Sequence, residues 1–175
     1  MSARSIPVVP VIVCAHNEER SLGACLRALL ASVAYAERAL GLRYEVRVVL
    51  DRCSDSSEQI ARGFDRVRVL RVLEGAGKVE AQRAGVAAGG GLFFVFCDAD
   101  VLVGEQSVCA VSEVLLADPS AMAAGAALRP LRPVRRTPIA EALYVYNARR
   151  GERARAARPS ACARARAAAP RVHSG

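Results

Sequence analysis

Apolar positions fall into short runs along the first 117 residues, and each run ends in a polar cluster. Val8-Val9-Pro10-Val11-Ile12-Val13-Cys14 is apolar at successive positions, as in a central strand buried on both faces. Pro10 lacks an N–H, so pairing is expected to begin after it. The polar turn Ala15-His16-Asn17-Glu18-Glu19-Arg20-Ser21 leads into a helix, with Leu22, Leu26, Leu29, Leu30 and Val33 at helical spacing. Tyr44 to Leu50 forms a second strand that stops at Asp51-Arg52-Cys53-Ser54-Asp55-Ser56-Ser57. Asp55, Ser56 or Ser57 is placed to cap a short helix ending near Gly63. Val67 to Leu73 alternates as a third strand. Gly75-Ala76-Gly77-Lys78 is a tight turn before a helix from about Val79 to Ala88. Leu92-Phe93-Phe94-Val95-Phe96 is too short to span a membrane and reads as a buried fourth strand, ending in Cys97-Asp98-Ala99-Asp100. Glu105 to Ala117 is helical until Asp118-Pro119 stops it, and Ala121 to Leu128 is a weak further strand.

Strands alternate with helices across short connections. The pattern predicts an α/β domain with a mostly parallel sheet and helices on both faces. In such sheets ligands bind outside the carboxyl ends of the strands. Three polar clusters fall there: Ala15–Glu19, Asp51–Asp55 and Asp98–Asp100.

The two strand-end acids Asp98 and Asp100 repel each other unless a positive group lies between them. A divalent cation that also holds a diphosphate meets that need; a solvated turn after the strand is the plainer alternative. Glu18 and Glu19 suit either the helix dipole or a ligand role. Lys78 is the only lysine of the chain, and suits a phosphate or a solvated turn. Its surroundings are not a P-loop, because Val72 and Val79 stand where glycine and Ser or Thr are required. A dinucleotide fingerprint fails at Glu80. His16 has only His173 for company, which argues against a histidine metal site.

Composition changes the picture at the far end. The 175 residues suffice for one domain with a real core, 53% of them hydrophobic. The formal net charge is +8, but residues 1–128 carry 13 Lys and Arg against 15 Asp and Glu, whereas the last 47 carry 12 against 2. The high pI therefore describes the tail, and no nucleic-acid partner is expected for the main body. The tail, from Gly151, is nearly all Ala, Arg, Pro and Ser without apolar periodicity, and is expected to be disordered. Weak contact with an anionic membrane surface is within its reach. The six cysteines form no CxxC pair and read as buried free thiols. No apolar run is long enough for a membrane span or a signal peptide, and a cytoplasmic protein is expected.

Four segments, in order between Val8 and Gly104, resemble the nucleotide-binding half of a family 2 glycosyltransferase of the GT-A (Rossmann-like) fold. They are Val11 to Glu19, Val49 to Asp55, Gly77-Lys78 through Ala84-Gly85, and Asp98-Ala99-Asp100. The resemblance implies transfer of a sugar from a nucleotide-diphospho-sugar donor to an acceptor hydroxyl of a glycan, lipid or small molecule. It implies that Ala15, His16 and Glu18 line the base and ribose, and that Asp51 hydrogen-bonds the base. Lys78 and Arg83 would lie near the nucleotide or sugar. Asp98 and Asp100, with Ala99 between them, would meet the sugar diphosphate through Mn²⁺ or Mg²⁺. Leu50 replaces the first Asp of the family's usual pair and Arg52 a common glycine. Processive members carry a Gln-x-x-Arg-Trp motif, which a chain without Trp lacks. No catalytic base is recognisable, since Glu141 and Glu152 stand outside any family context.

The organisation expected is therefore a donor-binding domain over 1–128, a partial acceptor-side segment over 129–150 and the tail over 151–175. The tail composition suggests a truncated or frame-shifted reading frame, and an inactive nucleotide-sugar-binding fragment is the first alternative. A strand followed by Asp-x-Asp also resembles haloacid-dehalogenase-type phosphatases, but no lysine follows Asp100.

Overall fold

A computed structural model describes residues 6–73 and 77–126. The chain divides into two compact units after Cys109.

The first unit holds the sheet. Its elements are β1 (Val8–Ala15), α1 (Leu22–Leu40), β2 (Arg43–Asp51), α2 (Ser57–Arg62), β3 (Val67–Val72), α3 (Lys78–Ala87), β4 (Val95–Asp98) and the start of α4 (Ser107–Ala117). All pairings are parallel, in the order β3-β2-β1-β4. The chain steps outward from β1 to β3, then returns to the other side of β1 for β4. That reversal makes the gap between β1 and β4 the switch point of the sheet.

Cover on both faces explains why β1 is apolar throughout and why β2 is apolar at Val46 and Val48–Leu50. Val9, Val11 and Val13 of β1 share one face with Val46, Val48 and Leu50 of β2, under α1. Ile12 and Val49 lie on the opposite face with Ala81 and Ala84 of α3. A strand covered on both sides has no position left for water. α1 contributes Leu22, Cys25, Leu26, Leu29 and Val33 to the first layer, and Gly41 ends it in the left-handed conformation at φ 65°.

Pro10 acts on one edge of β1 only. Pairing with β2 starts at Val8, whereas pairing with β4 starts at Val11. Parallel ladders alternate their bonds between neighbours, so the missing N–H matters on one side.

β4 is shorter and more exposed than its apolar run predicts. The strand begins at Val95, and Leu92 and Phe96 remain 52% and 49% exposed. Among the described residues its one strand partner is β1, so half of its surface goes unpaired. The thiols of Cys25 and Cys97 both approach the Asp98 carbonyl oxygen, at 3.5 and 3.4 Å. The described cysteines are all free thiols. Burial pushes the Cys14 thiol up; a hydrogen bond donated to Cys25, then burial, pushes the Cys97 thiol up.

The second unit is described over 110–126. It continues α4 to Ala117, where Asp118 accepts hydrogen bonds from the Ser120 N–H and hydroxyl. No strand forms over 121–126, contrary to the expectation for 121–128. The acceptor-side segment expected over 129–150 and the Ala/Arg tail lie outside the described residues. Among the described residues no helix is long and apolar enough to cross a membrane.

Candidate functional site

The site forms where β1, β2 and β4 end. Cys14 pairs with Val49 on one side and Asp98 on the other, so the strand tips converge. A cavity of about 260 Å³ opens there. Ala15, His16, Glu18, Asp51, Lys78, Asp98, Ala99 and Asp100 line it, eight of the nine site residues expected from sequence. Cys14 and Ala81 complete the lining. Their signal was positional: both are small residues facing the interlayer space between β1 and α3.

Arg83 does not join them. It lies five residues beyond Lys78 on α3, about 140° around the helix, and pairs with Glu80 at 3.0 Å with its side chain 74% exposed. The two cations therefore leave α3 on different faces.

The walls are stitched by hydrogen bonds between the β1–α1 and β2–α2 loops. Asn17 Oδ1 accepts the Ser54 N–H at 2.8 Å, and the Glu18 N–H donates to Ser57 Oγ at 2.8 Å. The Glu19 N–H donates to Asp55 Oδ2 at 2.9 Å, and Glu19 Oε2 accepts the Ser56 N–H at 3.2 Å. Glu18 and Glu19 therefore precede α1 rather than sit in its first turn, which carries no acid. Of the two readings for them, the helix-dipole one is not met, and both residues cross-link the loops instead. The Glu18 carboxylate accepts the Ser21 hydroxyl at 2.6 Å.

Asp51 is the anchored acid of the site. Its side chain is 7% exposed. Oδ1 accepts the Arg52 Nε–H at 2.8 Å, and Oδ2 accepts the Gly77 N–H at 3.0 Å. The Arg52 hydrogen bond holds its carboxyl below the ordinary value; burial opposes this and the Gly77 N–H supports it. His16 Nδ1 lies 2.6 Å from the Asp51 carbonyl oxygen. A carbonyl only accepts, so Nδ1 carries the proton and, in the neutral ring, Nε2 is left as an acceptor.

Asn17 and Arg52, at φ 56° and 47°, are the two described non-glycine residues with positive φ, and both lie in these loops. Asparagine tolerates that region, arginine much less. The glycine that the resemblance implies at position 52 would adopt this conformation without strain. Here the turn carries the guanidinium back onto Asp51.

Lys78 opens α3. Its Nζ is 2.6 Å from Asp98 Oδ1, with side chains 57% and 50% exposed. That hydrogen bond raises the lysine above its ordinary value. Asp98 ends β4, and its carbonyl accepts the Val101 N–H, closing a tight turn that carries Ala99 and Asp100.

Among the described residues no three His, Cys, Asp or Glu side chains gather to enclose a metal ion. Asp98 and Asp100 are a two-carboxylate, hard-oxygen set. Such a set suits Mg²⁺ or Mn²⁺ that takes its remaining oxygens from a diphosphate and water. Lys78 now neutralises one of the two carboxylates.

A parallel, doubly wound sheet with acids and one lysine gathered at its switch point defines an α/β domain with a phosphate-compatible cleft. The chain belongs to glycosyl transferase family 2, whose model matches residues 11–167. It is 36% identical over 99 residues to a dolichyl-phosphate beta-glucosyltransferase of Drosophila melanogaster, covering 51% of this chain and 30% of that protein. Mycobacterium tuberculosis glucosyl-3-phosphoglycerate synthase, in complex with Mn²⁺, UDP and glucosyl-3-phosphoglycerate, is similar in structure: 25% identity, TM-score 0.51, 63% of this chain and 40% of that one. S. aureus TarS shares the fold at 20% identity, TM-score 0.53, over 62% of this chain and 19% of that one. The chain thus spans less than a third of the curated relative. The fold expected from the sequence, a GT-A-like α/β sheet, is the fold observed.

Proposed function

We propose that this chain binds a nucleoside-diphosphate sugar together with Mn²⁺ or Mg²⁺ and takes part in transfer of the sugar to an acceptor hydroxyl. The observation that carries the reading is the meeting of Asp51, Lys78, Asp98 and Asp100 around one cavity at the sheet's switch point, in a family 2 chain. Uridine is the favoured nucleoside, because the mycobacterial structure similar to this one holds UDP with Mn²⁺.

Each group has a task suited to its chemistry. The buried Asp51 carboxylate offers an acceptor to a base N–H, and its hydrogen bonds from Arg52 and Gly77 stop it from turning away. His16 Nε2 offers a second acceptor for a ribose hydroxyl or the base. Glu18 and the small Ala15 and Ala99 leave room for the ribose and sugar. Lys78 exchanges Asp98 for a diphosphate oxygen, a charge-assisted bond of the same type. Asp98 and Asp100 would hold the cation, which supplies neutralisation of the charge gathering on the leaving diphosphate. Domain limits follow the same reading: residues 1–128 serve the donor and 129–150 the acceptor side. The family match favours sugar transfer over phosphatase chemistry.

A second reading, donor binding without turnover, is favoured by one observation. Among the described residues the acids lining the cavity are Glu18, Asp51, Asp98 and Asp100. Glu18 and Asp51 are engaged by Ser21 and by Arg52 with Gly77, and Asp98 and Asp100 would be taken up by the cation, which leaves no lining acid assigned as a base on an acceptor.

The test is calorimetric titration of UDP, GDP and their sugars, with and without Mn²⁺, on the chain and on Asp100→Ala. Metal-dependent binding lost in the variant supports the donor site. Absence of binding by the folded chain would overturn it. Slow hydrolysis of the sugar donor by the bound complex separates an active enzyme from a binding fragment.

A further inference from the structure

Arg47 is the unexpected residue of β2. It lies in an otherwise apolar strand core and is 2% exposed. Burying a guanidinium is expensive unless its donors are satisfied. Nη1 donates to the Gly85 carbonyl at 2.9 Å and to the Gly89 carbonyl at 2.7 Å; Nη2 pairs with Glu45 at 2.9 Å. Nε has no partner among the described residues. An aliphatic side chain would fill this position more cheaply, so the arginine must do something that packing does not.

What it grips is α3, a helix with little hold of its own. Its buried positions are Ala81 and Gly85, and its N-cap Gly77 supplies no side-chain bond. Gly85 approaches the sheet so closely that a Cβ there would lie 2.6 Å from Ile12 Cγ2. Small residues bring the helix near but bury little area. The fixed points are polar and sit at both ends. Asp51 takes the Gly77 N–H at the helix start, and Arg47 takes the Gly85 and Gly89 carbonyls at the helix end. Arg47, Val49 and Asp51 share one face of β2. Four strand residues span about 13 Å, and the eight from Gly77 to Gly85 rise about 12 Å along a helix. The strand thus holds the helix by two charged side chains at matching separation.

The first residue of that helix is Lys78, whose ammonium meets Asp98. We propose that Arg47 is a positioning residue: by clamping the far end of α3 it sets the reach of Lys78 to Asp98 and to the phosphate that would replace Asp98. The helix acts as a rigid rod between the clamp and the cavity. The part concerning phosphate rests on the donor-site reading above; the part concerning Asp98 does not.

Lys78 is the single lysine of the chain, so selective ¹³C-lysine labelling yields one side-chain signal. Asp98→Asn defines where that signal lies when unpaired. Arg47→Met and Arg47→Gln, checked for folding by circular dichroism, are expected to move it to the unpaired position. UDP affinity should then fall roughly ten- to hundredfold, the worth of one charged hydrogen bond, but change little when Lys78→Met is already present. A wild-type lysine signal in both folded variants would overturn the proposal. So would an equal loss of affinity with and without Lys78, or failure of both variants to fold, since each would make Arg47 a core residue only. If the lysine signal moves as expected while wild type binds no UDP, the clamp stands and the donor-site reading falls.

Discussion

Lys78 Nζ rests 2.6 Å from Asp98 Oδ1, so the only lysine of the chain neutralises one of the two acids at the tip of β4. A helix start and a strand end, 20 residues apart, are joined at the point where a cation and a diphosphate would enter. The pair is half exposed, and exposed pairs are worth only about 0–1 kcal/mol. It is therefore easily exchanged: a phosphate for the carboxylate, a divalent cation for the ammonium.

Lys78→Met is expected to separate these two exchanges. Removing the ammonium leaves Asp98 free, so Mn²⁺ alone should bind more tightly, as read by electron paramagnetic resonance. UDP should bind more weakly, by roughly ten- to hundredfold for one lost charged hydrogen bond. Equal weakening of both would mean that Lys78 supports the loop rather than the ligand.

Gly85→Ala tests how closely α3 must sit. Alanine favours a helix by about 1 kcal/mol over glycine, but the new Cβ would meet Ile12 Cγ2 at 2.6 Å. Overpacking of this kind costs about 1–3 kcal/mol, so a net loss is expected in urea unfolding. Ile12→Ala removes the opposing atoms, and the double variant should be more stable than the sum of the two single losses allows.

Asp51 should make stability depend on pH at the acid end. Its carboxyl is held below the ordinary 3.8, first by Arg52, then by the Gly77 N–H against the opposing burial. A group whose folded pKa is depressed stabilises above its unfolded value and loses that contribution as pH falls through its folded value. The stability difference between the chain and Asp51→Asn should thus be constant above about pH 5 and shrink steadily below about pH 4. Arg52→Gly should reduce the same difference while relieving a left-handed arginine, a strain of order 1 kcal/mol. Urea midpoints between pH 2.5 and 7 read both effects.

Much of this was legible in the residues themselves. Apolar runs separated by helical periods specify strands and helices locally, and strands apolar on both faces demand a parallel sheet with two covers. Because such sheets place every strand's carboxyl end at one rim, naming the residues after each run already named His16, Asp51, Asp98 and Asp100. The sequence misled where position on a helix or at a sheet edge decides. Arg83, which the resemblance puts near the ligand with Lys78, leaves α3 on another face and pairs with Glu80. The Leu92–Phe96 run looked buried, yet among the described residues β4 has a neighbour on one side only. The weak strand after Ala121 had no periodicity to support it and is absent over 121–126.

Element order, the kind of sheet and the set of side chains at its rim follow from periodicity and strand polarity, which are properties of neighbouring residues. The meeting of Lys78 with Asp98, the hold of Arg52 and Gly77 on Asp51, and the bonds from Arg47 to the Gly85 and Gly89 carbonyls arise from the packing of the folded chain. Apart from Arg52 on Asp51, these contacts join residues 20 to 42 positions apart. Their partners are chosen by strand order and helix packing, and neither quantity is written in any local stretch of the chain.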